Sequence, residues 1–127
     1  MSGNVSGFLI DTNIVIYLSH RMLRTSDFAK GSSLYISSMT YIEALGYPFS
    51  DKKTEKDMIE LCESFERLFL TEEVEKQTIL IRKSKKIKLP DAIISATAIV
   101  HNLTLVTHNS DDFKNISKLK ILNPFDK

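Results

Sequence analysis

Short apolar stretches alternate along this chain with longer segments of helical period. Phe8-Leu9-Ile10, Leu34-Tyr35-Ile36, Arg67 to Leu70, Thr104 to Thr107 and Lys120-Ile121-Leu122 are too short for helices and read as five buried strands. Between them, Thr12 to Ser19 predicts a helix carrying Ile14, Val15, Tyr17 and Leu18, and a second runs from about Ser38 until Gly46 and Pro48 stop it. Thr54 begins an amphipathic helix with Met58, Ile59, Leu61, Cys62 and Phe65 on its apolar side. Glu72 to Lys86 predicts another, with Val74, Ile79, Leu80 and Ile81 toward the core. Asp91 to Asn102 is so rich in Ala and Ile that it must be buried on most sides. Strands alternating with helices predict an α/β fold around a mainly parallel sheet.

The chain length of 127 residues, without repeats or an interior linker, predicts one domain spanning residues 1–127. The net charge of +1 carries no global basic bias, so any contact with nucleic acid must come from a local patch. Cys62 is the single cysteine, which excludes an intramolecular disulfide and a cysteine-based zinc cluster. Residues 1–7 lack the basic start and apolar stretch of a signal peptide, and no run has the roughly 18 apolar residues of a membrane span. The expected location is the cytoplasm.

Four polar positions at the ends of apolar runs are the candidate chemistry: Asp11, Glu43, Asp91 and Asn109, the last followed by Asp111 and Asp112. In open parallel sheets, groups beyond the carboxyl ends of the strands converge where the strand order reverses. Asp11 directly follows the first strand, and Asn109 closely follows the fourth. Asp91 lies in the first turn of its helix, and Glu43 lies about two turns into the helix after the second strand. Two like charges about 5 Å apart repel by roughly 3 kcal/mol at an effective dielectric near 20. Three acids in one pocket are therefore partly protonated or compensated by a cation. Oxygen ligands without Cys or His favour Mg²⁺ or Mn²⁺. Each acid also has a plainer reading. Asp11 and Asp91 suit helix starts, Glu43 a solvated face, and Asp111 and Asp112 a loop or helix start.

The segment Leu9-Ile10-Asp11-Thr12-Asn13-Ile14-Val15-Ile16-Tyr17-Leu18 resembles the opening motif of PIN-domain ribonucleases, above all the VapC toxins of bacterial toxin–antitoxin pairs. Ile36-Ser37 through Thr40 to Glu43 is similar to the second block of that family. Leu89-Pro90-Asp91-Ala92-Ile93-Ile94-Ser95-Ala96-Thr97-Ala98 is similar to its third, and Leu105 to Asn109 through Asp112-Phe113 to its fourth. The resemblance implies a three-layer α/β/α PIN-like domain with a central, mainly parallel five-stranded sheet. It implies catalytic and metal-site roles for Asp11, Glu43 and Asp91, with Asn109 at the fourth, ordinarily acidic, position. Asp111 and Asp112 stay open as substitutes for that missing acid. Thr12, Asn13, Thr107 and Asp112 are the supporting polar groups.

The implied activity is Mg²⁺- or Mn²⁺-dependent endonucleolytic hydrolysis of RNA, with one metal ion favoured because Asn109 adds no charge. The implied partners are a cognate antitoxin and a second copy of the chain, with Tyr17, Met22, Leu23, Tyr47 and Phe49 as candidate apolar contacts. Arg82, Lys83, Lys85, Lys86 and Lys88 place five cations just before Asp91, either as a solvated helix end or as a patch that steers RNA.

The chain has no Trp, and its sequence offers no evident base-stacking surface. No glycine-rich phosphate loop is present, which argues against nucleotide cofactors. His20, His101 and His108 lack metal-ligand spacing and read as surface or loop residues, and Cys62 reads as a buried hydrophobe. A phosphatase of the haloacid dehalogenase type needs a second Asp where Asn13 stands, and a receiver domain needs paired acids after the first strand. A catalytically impaired PIN-fold module that binds RNA or protein is the remaining alternative.

Overall fold

The computed structural model describes residues 7–126, so the reading of residues 1–6 as lacking a signal peptide lies outside the described residues. Five strands form one sheet in the order β3-β2-β1-β4-β5: β1 (Gly7–Ile10), β2 (Ser33–Ser37), β3 (Glu66–Leu68), β4 (Thr104–Val106) and β5 (Lys120–Leu122). All four pairings are parallel, so the sheet expected to be mainly parallel is wholly so. The order reverses at β1: β2 and β3 lie to one side, β4 and β5 to the other. Gly7 opens β1 where a Cβ would come within 2.8 Å of both the Leu103 and Tyr35 side chains.

Six α-helices accompany the strands: α1 (Thr12–Ser19), α2 (Ser38–Leu45), α3 (Lys52–Glu63), α4 (Glu72–Ser84), α5 (Leu89–Val100) and the single turn α6 (Ser110–Phe113). Successive strand side chains point to opposite faces, and the two cores follow that alternation. Leu9 and Leu105 pack with α4, α5 and α6 through Val74, Ile81, Ile94 and Phe113. Ile10 and Val106 pack with α1, α2 and α3 through Ile14, Val15, Ala44, Met58 and Cys62. This is the three-layer α/β/α arrangement. Burial also pushes the Cys62 thiol up to about 11, so it is an un-ionised core residue near neutral pH. No helix among the described residues is long and apolar enough to cross a membrane.

Local capping chemistry explains most of the boundaries. Thr71 caps α4 through its hydroxyl, Glu72, Glu73 and Glu75 occupy the first turn, and Arg82 and Lys83 occupy the last. This charge order complements the helix dipole. α4 stops at Ser84 rather than Lys86, since Lys85 adopts extended backbone and ends the hydrogen-bond ladder. α5 starts two residues earlier than expected, at Leu89, because Pro90 lacks an N–H and is tolerated only in a helix's first turn. α3 starts at Lys52, where the Asp51 carboxylate accepts from the Thr54 N–H at 2.7 Å.

Five residues expected in the core or in a buried strand are exposed. Ile79 and Leu80 of α4 are 53% and 60% exposed, because Val74, Thr78 and Ile81 take the single stripe that α4 turns inward. Ile59 on α3 is likewise exposed, while Met58 and Cys62 are buried. Phe69 and Leu70 lie beyond the end of β3 and are exposed. A 3₁₀ turn at Thr25–Asp27 carries no apolar period and was not expected.

Candidate active site

Asp11 leaves β1 at the point where strand order reverses, and it is only 4% exposed. The backbone reason is a pair of continuing bonds: the Asp11 N–H donates to Val106 O at 2.9 Å, and the Asp11 carbonyl accepts the first bond of α1. The side chain is held by three donors. The Thr12 N–H reaches Oδ1 at 2.8 Å, and the Thr107 hydroxyl and Asn13 Nδ2 reach Oδ2 at 2.7 and 3.2 Å. The helix-cap reading of Asp11 therefore holds, and it leaves acceptor capacity to spare, because an ionised carboxylate has about four acceptor positions.

Burial pushes Asp11 up from 3.8 to about 6, against the pull of the Thr107 and Thr12 donors; the charges of Asp91 and Glu43 raise it further. Asp91, half-buried in the first turn of α5, is also raised, first by burial and then by Asp112 and Glu43, with Lys88 opposing. Glu43 is exposed on α2, where its Oε1 accepts the Thr12 hydroxyl at 2.6 Å. Three carboxylates from β1, α2 and α5 thus share one electrostatic neighbourhood. None is ion-paired among the described residues, where the salt bridges are Lys53–Asp57, Lys76–Glu72 and Lys114–Asp111.

Thr12 links two of the acids: its N–H holds Asp11, while its hydroxyl holds Glu43 and lies 3.1 Å from Thr40 Oγ1. Thr40 is fully buried on α2, one turn before Glu43, and was not singled out from the sequence. Its spacing of three residues from Glu43 was the available signal. Thr107, also fully buried, donates to Asp11 and accepts from the Asn109 N–H at 3.1 Å. Asn13 joins Asp11 to the loop after β4 by accepting the His108 N–H on Oδ1 at 3.2 Å.

Asn109 is exposed at the start of α6. Of the two acids behind it, Asp111 faces Lys114 at 3.4 Å, whereas Asp112 acts on Asp91. The basic group divides as well. Arg82 and Lys83 end α4, Lys85 to Lys88 form the connection to α5, and Lys88 alone contributes to the electrostatics of Asp91.

The expected apolar contacts also separate. Met22 and Tyr47 are 62% and 64% exposed, but Leu23 is buried in the α1–α3 core, and Tyr17 is half-buried against His108 and Phe125. Beside Glu43 a cleft of about 590 Å³ opens between α1, α2 and α3, with Ile16, Tyr47, Phe49 and Met58 among its walls. Asp11 and Asp91 do not line this cleft; they sit on the open carboxyl edge of the sheet.

Against known proteins, the PIN domain family model matches residues 8–119. The chain is 31% identical over 127 residues to Ribonuclease VapC1 of Rickettsia felis, covering 91% of this chain and 95% of that protein. It is 28% identical to a Ribonuclease VapC of Rickettsia bellii, with the same coverage. Its fold is similar to VapBC2 from Rickettsia felis bound to a promoter DNA fragment, with a TM-score of 0.79, 22% identity, and 91% of this chain and 97% of that one covered. A toxin–antitoxin complex from Klebsiella pneumoniae aligns with a TM-score of 0.76 and 29% identity over 95% of this chain and all of that one. The match extends from β1 to just short of β5, and so takes in all three carboxylates and the loop after β4; the chain belongs to the PIN-domain family, and its curated relatives are VapC ribonucleases.

Proposed function

We propose that the protein is a divalent-metal-dependent endoribonuclease and the toxin of a toxin–antitoxin pair. The observation that carries this reading is the gathering of three carboxylates at the switch point of a parallel sheet, none ion-paired among the described residues: Asp91 and Glu43 both act on Asp11, and Glu43 acts on Asp91. It is supported by relatives named ribonucleases.

The donor set suits a hard cation, since it is all oxygen and carries net negative charge. Among the described residues no three Asp, Glu, His or Cys side chains are close enough to chelate an ion directly. That spacing suits Mg²⁺, which keeps several waters and takes one or two carboxylates. Asp11 and Asp91 are the ligands, directly or through water, and Thr107, Thr12 and Asn13 hold Asp11 in one orientation. A divalent ion held by these residues would supply a more acidic coordinated water and a polarised scissile phosphate. Glu43, exposed and anchored by Thr12, positions the attacking water or accepts its proton. Asn109 offers hydrogen bonds without charge. Asp112, beside Asp91, is the better substitute for the absent fourth acid than Asp111, whose nearest partner is Lys114. Arg82, Lys83, Lys85, Lys86 and Lys88 steer the RNA backbone toward Asp91.

The cleft beside Glu43 is the seat of the antitoxin segment. Its apolar walls reach the acidic edge through a single shared residue, Glu43, so an occupant there blocks substrate entry. A homodimer is proposed as well, using exposed apolar groups such as Met22, Ile42 or Phe69. The decisive experiment is cleavage of single-stranded RNA by the purified chain with Mg²⁺ and with EDTA, beside Asp91→Asn. Cleavage that needs Mg²⁺ and is lost in the folded variant supports the reading; equal activity in Asp91→Asn, or none in the wild type with any divalent ion, overturns it.

A further inference from the structure

Three aromatic rings distant in sequence meet at the rim of the acidic edge. Tyr17 of α1, His108 after β4 and Phe125 after β5 lie with centroids 4.7 to 5.4 Å apart. Their planes meet at 64° to 85°, the edge-to-face arrangement, so no ring is sandwiched in a parallel stack. His108 and Phe125 are exposed at this rim.

The cluster is built and not incidental. The His108 carbonyl accepts from Asn123 Nδ2 at 3.1 Å, and Asn123 Oδ1 accepts from the Phe125 N–H at 3.0 Å. The backbone of β4 is tied to β5 just before this point, with the Thr107 N–H on Leu122 O at 3.0 Å. One amide separates the rings from the acids: Asn13 donates to Asp11 and accepts from His108. Along the carboxyl edge Asp11 follows β1, His108 follows the neighbouring strand β4, Phe125 follows β5 beyond it, and Tyr17 reaches the same two rings from α1. With neighbouring strands about 4.8 Å apart, the chain leaves β4 at His108 about one strand spacing from Asp11, and β5 before Phe125 about two.

We propose that Tyr17, His108 and Phe125 form a nucleobase-stacking subsite that holds an unpaired base of the RNA next to the phosphate bound at Asp11. The inference rests on the ribonuclease reading above and adds what that reading lacks. The basic residues before α5 contact phosphates, which carry no base information, whereas a ring face takes a base of any sequence. The subsite is assembled from three separate segments, so no local aromatic pattern announces it.

The test is equilibrium binding, in EDTA, of a short fluorescent single-stranded oligoribonucleotide and of the same strand with abasic nucleotides throughout. Stacking predicts that the wild type binds the base-bearing strand about 5- to 100-fold more tightly than the abasic one. Phe125→Leu keeps apolar bulk against the loop, and His108→Ala alters an exposed side chain. Each is expected to shrink that ratio at least several-fold while thermal melting stays close to wild type. A wild-type ratio of one, or a ratio untouched by both variants, overturns the subsite and leaves the rings as a clasp for the segment after β5. Cleavage in Mg²⁺ is measured on the same strand. If cleavage occurs and the ratio is one, the subsite alone fails; if no RNA is cleaved or bound, the ribonuclease reading fails with it.

Discussion

Replacing Asp11 by Asn should make the metal-free protein more stable while abolishing its proposed chemistry. In the folded chain burial raises this carboxyl from 3.8 to about 6. A group with a raised folded-state pKa favours folding fully below about pH 3.8, and that contribution is lost as pH rises through about 6. At about 1.4 kcal/mol per pH unit the difference is about 3 kcal/mol, so the ionised Asp11 weighs against folding by about that much at pH 7.5. Asn removes the charge but offers one acceptor oxygen where three donors converge, from Thr12, Asn13 and Thr107. With the amide oxygen in the place of Oδ2, which keeps Thr107 and Asn13, only the Thr12 bond is lost, at a cost of about 1–2 kcal/mol; the opposite turn loses two. The net expectation is a gain of about 1–2 kcal/mol at pH 7.5, or a melting temperature higher by about 3–8 °C.

The assay is urea unfolding followed by circular dichroism in EDTA, from pH 4 to 7.5, for wild type and Asp11→Asn. The advantage should shrink as pH falls through 6 and be gone near pH 4, where the wild-type carboxyl is protonated in the folded chain and about half protonated in the unfolded one. Added Mg²⁺ should stabilise the wild type and leave the variant unmoved, since only a ligand that binds the folded state shifts its stability. A variant less stable than wild type at pH 7.5, or a difference that does not change with pH, would refute the reasoning.

Four further outcomes are expected. Mg²⁺ affinity of the wild type, measured by calorimetry, should fall as pH drops through about 6, because a protonated Asp11 cannot ligate. Thr107→Val removes the donor to Asp11 and strands the Asn109 N–H; it should cost about 1–3 kcal/mol in urea unfolding and slow RNA cleavage without changing the cleavage position. Neutralising Arg82, Lys83 and Lys86 together should weaken RNA binding evenly across sequences and flatten the plot of log affinity against log salt by roughly 0.7 for each phosphate left without its cation. Phe113→Ala, at a residue 1% exposed between α5, α6 and the sheet, should cost about 3–5 kcal/mol in the same unfolding assay.

Much of the architecture was legible because it is written in local period and punctuation. The alternation of Leu9 with Ile10 and of Leu105 with Val106 serves two opposite cores, which only a sheet covered on both faces provides. Gly46 stops α2 at Leu45, as its place before Pro48 predicted. Where the reading failed, the deciding contact was distant. Ile79 and Leu80 are as apolar as Val74 and Ile81, and only the docking of α4 on the sheet and α5 selects which stripe is buried. Leu23 was expected among the exposed apolar contacts for a partner, yet it is buried in the core with α1 and α3.

The candidate site divides along the same line. Residue type and position made Asp11, Glu43 and Asp91 visible in the chain, because a carboxylate beside a buried strand or helix needs compensation and that need can be read from its neighbours. Their shared field, the fixing of Asp11 by Thr107, the hold of Thr12 on Glu43 and the meeting of Tyr17 with His108 and Phe125 depend on strand order. Sequence alone determined which side chains and which elements are present, since period, capping and desolvation act over a few residues. Only the tertiary structure decided which of them touch, because β1 lies between β2 and β4 through pairings that join residues far apart in the chain.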